Sequence, residues 1–168
     1  MSQLSLSLDS SLLVRDDQGC YLPATADQIL KAARYVIDQK IPRGTLFTSP
    51  ALVKDYLRTK LVSFEHEVFA ALFLDSQNRL IEYVELFRGT IDQTSVYPRE
   101  VVKTALHHNA AAVIFSHNHP SGNSEPSQAD KLLTQRLKEA LALVDVRTLD
   151  HIVVGGEATT SFAERGLL

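Results

Sequence analysis

The stretch AAAVIFSHNHPSGNSEPSQAD, residues 110–130, decides how this chain is read. It opens with AAAVIF, a short continuous apolar run of the kind found in strands buried on both faces. Its middle is crowded with turn formers: Pro120, Ser121, Gly122, Asn123. Its end places Ser127 and Asp130 at the spacing of a helix N-cap and an acidic third position. The apolar face Leu133, Leu137, Ala140, Leu141 and Val144 follows at helical spacing. A buried strand over 111–116, a polar loop and a helix are therefore predicted in that order. His117 and His119 stand where the strand runs out.

Working outward, the run VFAALFLD, the turn SQN and the run RLIEYVELF predict two strands joined by a short hairpin, with Asp75 to Asn78 as turn formers. RGTIDQTSVY reads as a loop with a short strand. Pro98 opens a helix with the stripe Val101, Val102, Ala105 and Leu106, and Asn109 stops it. Ser49-Pro50 supplies a cap and a first-turn proline for an earlier helix, with Leu52, Tyr56 and Leu57 on its apolar side. Thr25 and Gln28 have capping-box spacing ahead of Ile29, Ala32, Ala33 and Val36. The first two dozen residues read as a loosely held arm. Downstream, DHIVVGG is another buried strand, and TSFAERGLL offers one more. Strands alternating with helices predict an α/β (α+β) fold, a mixed sheet with helices packed on its faces. The domain division expected is an N-terminal arm and helix over 1–45 and one domain over 46–168.

The chain has 168 residues, and its 45% hydrophobic and 22% charged content is that of a soluble globular protein. A net charge of −3 argues against clamping nucleic acid by bulk electrostatics. One cysteine, Cys20, rules out a disulfide framework and a Cys-rich zinc finger. The N-terminus lacks the pattern of a signal peptide, and no apolar run approaches the ~20 residues of a membrane span. No membrane association and a cytoplasmic location are the default expectations.

In extended chain, residues i and i+2 point to the same side, so His117 and His119 can aim at one point. Asp130, on the first turn of the next helix, can bring a carboxylate to that point. Two neutral imidazoles and a carboxylate suit Zn²⁺ with its fourth position left to water, which is the catalytic rather than the structural pattern. Taken singly, each piece has a structural explanation: histidines are common on loops, and Ser127 with Asp130 makes a capping box without any metal. Their conjunction at the end of one buried strand is what points to a metal site. HEVFA at 66–70 is a near miss for a helical zincin motif, whose second histidine is replaced by Ala70.

His117-x-His119, seven residues, Ser127, two residues and Asp130 matches the JAMM (MPN+) metalloprotease motif in each defined position. The text from LFLDSQNRLIEYVELF through SHNHPSGNSEPSQAD, together with DHIVVGG, resembles the RadC family of bacterial JAMM proteins over roughly residues 46–168. The resemblance implies a JAMM/MPN fold of cytidine-deaminase-like architecture and one Zn²⁺ on His117, His119 and Asp130. It also implies Glu67 as general base, chosen by position from Glu65, Glu67, Glu82 and Glu85, and Ser127 as oxyanion donor. Ser116 and Asn118 are expected to shape the loop, and Asp150 to hydrogen-bond a ligand histidine. His66 and His151 are expected to be packing or surface residues, and His107 and His108 to meet a helix C-terminus. RadC-like chains often carry a helix-hairpin-helix region before this domain; this chain reads as the short, domain-only type.

The function expected is that of a zinc-dependent peptidase or isopeptidase acting on a protein or peptide. The alternative is a DNA-repair or mobile-element accessory protein acting with nucleic acid or a protein partner. A zinc nucleobase deaminase would need a histidine-x-glutamate pair and two cysteines, which the single Cys20 excludes.

Overall fold

The computed structural model describes residues 12–15, 17–47, 49–89 and 95–168. The chain divides into two compact units, Met1–Lys40 and Ile41–Leu168. In the first, β1 (Leu13–Arg15) pairs antiparallel with β2 (Tyr21–Pro23), ahead of helix α1 (Ala26–Lys40). The predicted capping box forms: Gln28 Oε1 accepts from the Thr25 N–H at 2.9 Å, and Thr25 Oγ1 from the Gln28 N–H at 3.3 Å. The expected apolar stripe is not buried, since α1 has no buried residue.

The second unit runs α2 (Pro50–Leu61), β3 (Val68–Leu74), β4 (Leu80–Arg88), α3 (Pro98–His107), β5 (Ala112–Asn118), α4 (Gln128–Ala142), β6 (Arg147–Gly155) and β7 (Ala158–Ser161). Its five strands form one mixed sheet in the order β4-β3-β5-β6-β7. Only the β5–β6 pair is parallel, and α4 makes the crossover between them. The other three pairs are antiparallel. Residues 90–94 of the predicted loop at 88–97 lie outside the described residues.

Helices α1, α2 and α4 start at side-chain caps, whereas α3 starts at Pro98 with no side-chain cap bond from Tyr97. Ser49 accepts from the Leu52 N–H, and Pro50 occupies the first turn of α2, where its missing N–H costs nothing. Asp75 Oδ1 accepts from the N–H groups of Gln77 and Arg79 at 2.8 and 2.9 Å, and Asn78 takes a φ of 60°, closing the β3–β4 hairpin. Asn109, with φ 50°, ends α3 as its sequence position predicts.

Why β3 is apolar throughout, and β5 as far as Phe115, is plain from the layers. Both are buried at every position because helices cover both faces of the sheet. Phe69, Ala71, Phe73, Val113 and Phe115 pack with Val101 and Ala105 of α3 and Leu137 and Leu141 of α4. On the opposite face, Val68, Ala70 and Val154 pack with Leu61 of α2. β5 runs two residues past its expected end, since His117 and Asn118 still pair with β6. His117 thus lies inside the strand, on the α3/α4 side with Phe115 and Phe69.

Candidate metal centre

Parity along β5 puts His117 on the core side, and Asn118 on the other. His117 is 1% exposed and stacks on Phe69 at 6.3 Å with a 14° interplanar angle. His119, one residue past the strand, is held in line by its N–H donating to Val154 O at 2.8 Å. Asp130 is the third residue of α4, and the Ser127 capping box turns it toward the strand end. The donor atoms of His117, His119 and Asp130 all lie within 4.8 Å of one another.

The hydrogen bonds fix which nitrogen of each histidine is free. His119 Nδ1 faces the Asn123 carbonyl at 2.7 Å, so Nδ1 carries the proton and Nε2 a lone pair. His117 Nδ1 meets His151 Nε2 at 2.8 Å, and His151 Nδ1 meets Thr134 Oγ1 at 2.6 Å. The Thr134 hydroxyl also contacts the Asp130 carbonyl at 2.6 Å, which can only accept. Its single hydrogen goes there, and the histidine protons then follow in order, leaving Nε2 of His117 bare. Two Nε2 lone pairs therefore face each other at 2.9 Å, with Asp130 oxygens 3.4 and 3.7 Å away. Such a cluster needs a cation at its centre, either a shared proton or a metal. Three ligands about 2.0–2.1 Å from one tetrahedral centre sit roughly 3.3 Å apart, the range seen here. The residues fit a metal ion.

Electrostatics agree. Burial would raise the Asp130 pKa, but the hydrogen bonds to His117 and His119, the charge of His117 and the bond to Ser127 hold the carboxyl far below the usual carboxylate range. The bond to Asp130 raises the His119 pKa, against the opposing effect of burial and with help from the Asn123 carbonyl and the charges of Asp130 and Glu67. Burial pushes His151 well below the ordinary histidine value, with His117 adding to that, so it stays neutral.

Asp130 has a divided role. Its Oδ2 accepts from the Ser127 N–H at 2.7 Å, while Oδ1 faces His117. Ser127 Oγ accepts from the Asp130 N–H at 3.1 Å, on an exposed side chain. The loop between is clamped against β6. A Cβ on Gly155 would sit 2.3 Å from Ser124 N, 2.5 Å from the Asn123 carbonyl carbon and 2.8 Å from Gly122 O, so only glycine lets the loop lie there.

Glu67 stands just before β3, half-buried, and its charge is felt at His119. Of the other glutamates considered, Glu65 and Glu82 are exposed and Glu85 pairs with Arg88 at 3.1 Å. Asn118 holds the segment that carries Glu67. Its Oδ1 accepts from the Val68 N–H at 2.8 Å, and its Nδ2 donates to His66 O at 3.0 Å and Phe64 O at 3.3 Å. Ser116 donates to Ile152 O at 2.7 Å on the same face of the sheet.

Two expectations are corrected. Asp150 does not reach a ligand histidine; it accepts from its neighbour's N–H, from the Ala163 N–H and from the Ser161 hydroxyl, on the far side of β6. The residue that does is His151, which was expected only to pack or to lie at the surface. Its Cα partner in β5 is Phe115, so it shares the His117 face. Thr134, four residues after Asp130 on the buried side of α4, was also missed. A polar residue within an apolar helical stripe was the available signal. His108 caps α3 and stacks on Phe73, and neither it nor His107 is near the cluster of ligands.

A helix-covered mixed sheet with a His-x-His pair at a strand end and an acid at the start of the next helix defines a JAB/MPN-type domain. The chain belongs to the RadC-like JAB domain family, whose model matches residues 47–167. A UPF0758 protein of Vibrio cholerae is 60% identical over 141 residues, covering 84% of this chain and 89% of that protein. UPF0758 proteins of Leptothrix cholodnii and Cellvibrio japonicus are 62% and 63% identical over 140 residues, covering 83% of this chain but 63% and 62% of their own lengths. The chain thus spans under two-thirds of these last two. Among the described residues no helix is long and apolar enough to cross a membrane.

Proposed function

We propose that this protein is a zinc-dependent hydrolase of peptide or isopeptide bonds, with one Zn²⁺ on His117, His119 and Asp130. The observation that carries this is the pair of bare Nε2 atoms 2.9 Å apart beside an ionised carboxylate, each nitrogen left free by a hydrogen bond on the other side of its ring. Two nitrogens and one oxygen leave a place for water, as catalytic zinc sites do. When bound, zinc supplies Lewis acidity and lowers the pKa of a water toward neutral.

The chain's own residues supply the rest. Glu67 takes the proton from the attacking water and returns it to the leaving amine. The Ser127 hydroxyl, its oxygen accepting in the cap, donates its hydrogen to the oxyanion that develops on the scissile carbonyl. Asn118 keeps the Glu67 segment against the strand end. An activity on nucleic acid draws less support, because the net charge is −3.

The test joins metal content to turnover. Purified, zinc-supplemented protein is expected to hold about one zinc per chain, and His117→Ala with His119→Ala to hold none. On a peptide-library cleavage assay read by mass spectrometry, Glu67→Gln is expected to keep its zinc and lose at least about 10²-fold in rate. Full zinc loading with undiminished cleavage by Glu67→Gln would place the base elsewhere.

A further inference from the structure

We propose that His151 is a positioning residue that, with Thr134, fixes the tautomer of His117 and so decides which nitrogen is offered to a metal. The inference rests on the metal reading above and adds residues that carry no ligand role.

The argument is an accounting of hydrogens. Thr134 Oγ1 has one hydrogen and two close partners, the Asp130 carbonyl and His151 Nδ1, each at 2.6 Å. A carbonyl cannot donate, so the hydroxyl donates to it and must accept from Nδ1. His151 is fully buried, among Phe69 at 5.5 Å, Phe115 at 6.0 Å and Phe162 at 4.7 Å, an apolar shell that keeps the ring neutral. With its one proton on Nδ1, its Nε2 can only accept, and His117 Nδ1 must donate to it. An isolated neutral histidine side chain in water favours the opposite tautomer, with the proton on Nε2. That tautomer would block the metal position of His117. The relay forbids it.

The relay runs from the Asp130 main-chain carbonyl through Thr134 and His151 to His117, whose bare Nε2 lies 3.4 Å from the Asp130 carboxylate. Helix α4 and strands β5 and β6 are thereby linked at one point, and the donor nitrogen of His117 is oriented by that relay. His119 is independent of it, having its own acceptor on the loop. Ligating histidines are commonly oriented in this way by a partner on the other ring nitrogen, though that partner is more often a carboxylate, a carbonyl or water than a second imidazole.

The experiment uses the full chain and two readouts that do not need turnover. In metal-free protein, the proton-bearing nitrogen of His117 is read from ¹⁵N–¹H correlations of the imidazole rings, at a pH where the histidines are neutral. Zinc affinity is read by chelator competition. Wild type is expected to show His117 protonated at Nδ1. His151→Phe keeps the volume and removes the acceptor, so His117 should shift toward the Nε2-protonated form and zinc affinity should fall about 10–100-fold. His151→Gln, whose amide oxygen reaches the place of Nε2, should recover part of both. Thr134→Val should move both readouts the same way by less, and Thr134→Ser should leave them as in wild type. Phe at 151 would also serve as packing, so a merely structural role predicts unchanged affinity in a folded His151→Phe protein. The proposal is overturned if His117 is protonated at Nε2 in wild type, or if folded His151→Phe and Thr134→Val bind zinc as tightly as wild type. Should wild type take up no divalent metal, the proposed function fails, while the ring correlations alone still decide the relay.

Discussion

Gly155→Ala tests how the metal loop is held. The added Cβ would meet backbone at 2.3 Å (Ser124 N), 2.5 Å (Asn123 C) and 2.8 Å (Gly122 O), where ordinary contact begins at 3.4 Å. No side chain can swing away, so the loop itself must retreat by about 1 Å from β6. The Asn123 carbonyl accepts from His119 Nδ1 at 2.7 Å. Moved by about 1 Å, that contact passes out of hydrogen-bonding range, and His119 loses the partner that keeps its Nε2 bare. Overpacking of this kind costs about 1–3 kcal/mol of stability. Loss of an orienting partner costs about 10–100-fold in metal affinity. Denaturant unfolding of the metal-free protein reads the first, and chelator competition on folded protein reads the second. Gly122→Ala is the control: its φ of 80° strains any side chain, but nothing lies within 4 Å of a Cβ there. It should lose stability by about 1–2 kcal/mol from backbone strain alone. If Gly155→Ala folds with unchanged stability and unchanged metal affinity, the loop is not clamped as argued.

Three further outcomes are expected. Ser127→Ala should cost about 0.5–2 kcal/mol through the lost cap, yet slow hydrolysis by ~10²–10³-fold once folded; an active, zinc-loaded Ser127→Asp enzyme, capped but without a donor, would reduce the serine to its structural role. Asn118→Ala should leave the buried Val68 N–H unpaired at about 1–3 kcal/mol and depress turnover at constant metal content, and turnover unchanged per folded molecule would show that Glu67 needs no such tether. In metal-free protein the raised His119 pKa gives stability that is present below the ordinary 6.5 and lost as pH rises through the folded value, whereas metal must displace that same proton. The stabilisation by zinc, read as the Tm difference with and without chelator, should therefore shrink as pH falls, with a midpoint above 6.5; a flat difference across this range would refute the coupling.

The sequence carried most of this architecture because its signals were local. Ser49-Pro50, Asp75 to Asn78 and Asn109 act through their own backbone, and each sits where its chemistry predicts. His117, His119 and Asp130 were legible for the same reason: an i, i+2 pair in extended chain, then the third position of a capped helix. His151 and Thr134 were not. Their roles depend on the parallel register that sets His151 beside Phe115, and on how α4 docks over it. β6 is buried on both faces from Asp150 onward, so no polar–apolar alternation told which side His151 or Asp150 would take. An irregularity in the β5–β6 pairing between Val113 and Ile114 further shifts the register. In α1 the stripe was read correctly as amphipathic, but a stripe does not say what will cover it, and there it is left unburied.

The capping box at the start of α4 also bears on how Asp130 would meet a cation. Carboxylates can grip a cation with both oxygens, and a two-oxygen grip would fill a coordination place. Here Oδ2 of Asp130 accepts from the Ser127 N–H at 2.7 Å and lies 3.7 Å from His119 Nε2, while Oδ1 lies 3.4 Å from His117 Nε2 with no such cap bond. A helix-start motif of the commonest kind thus makes the two carboxylate oxygens unequal, and were zinc bound as proposed, the oxygen without the cap bond would be the readier donor. Lengthening the acid by one methylene, as in Asp130→Glu, would break the cap bond and remove that inequality.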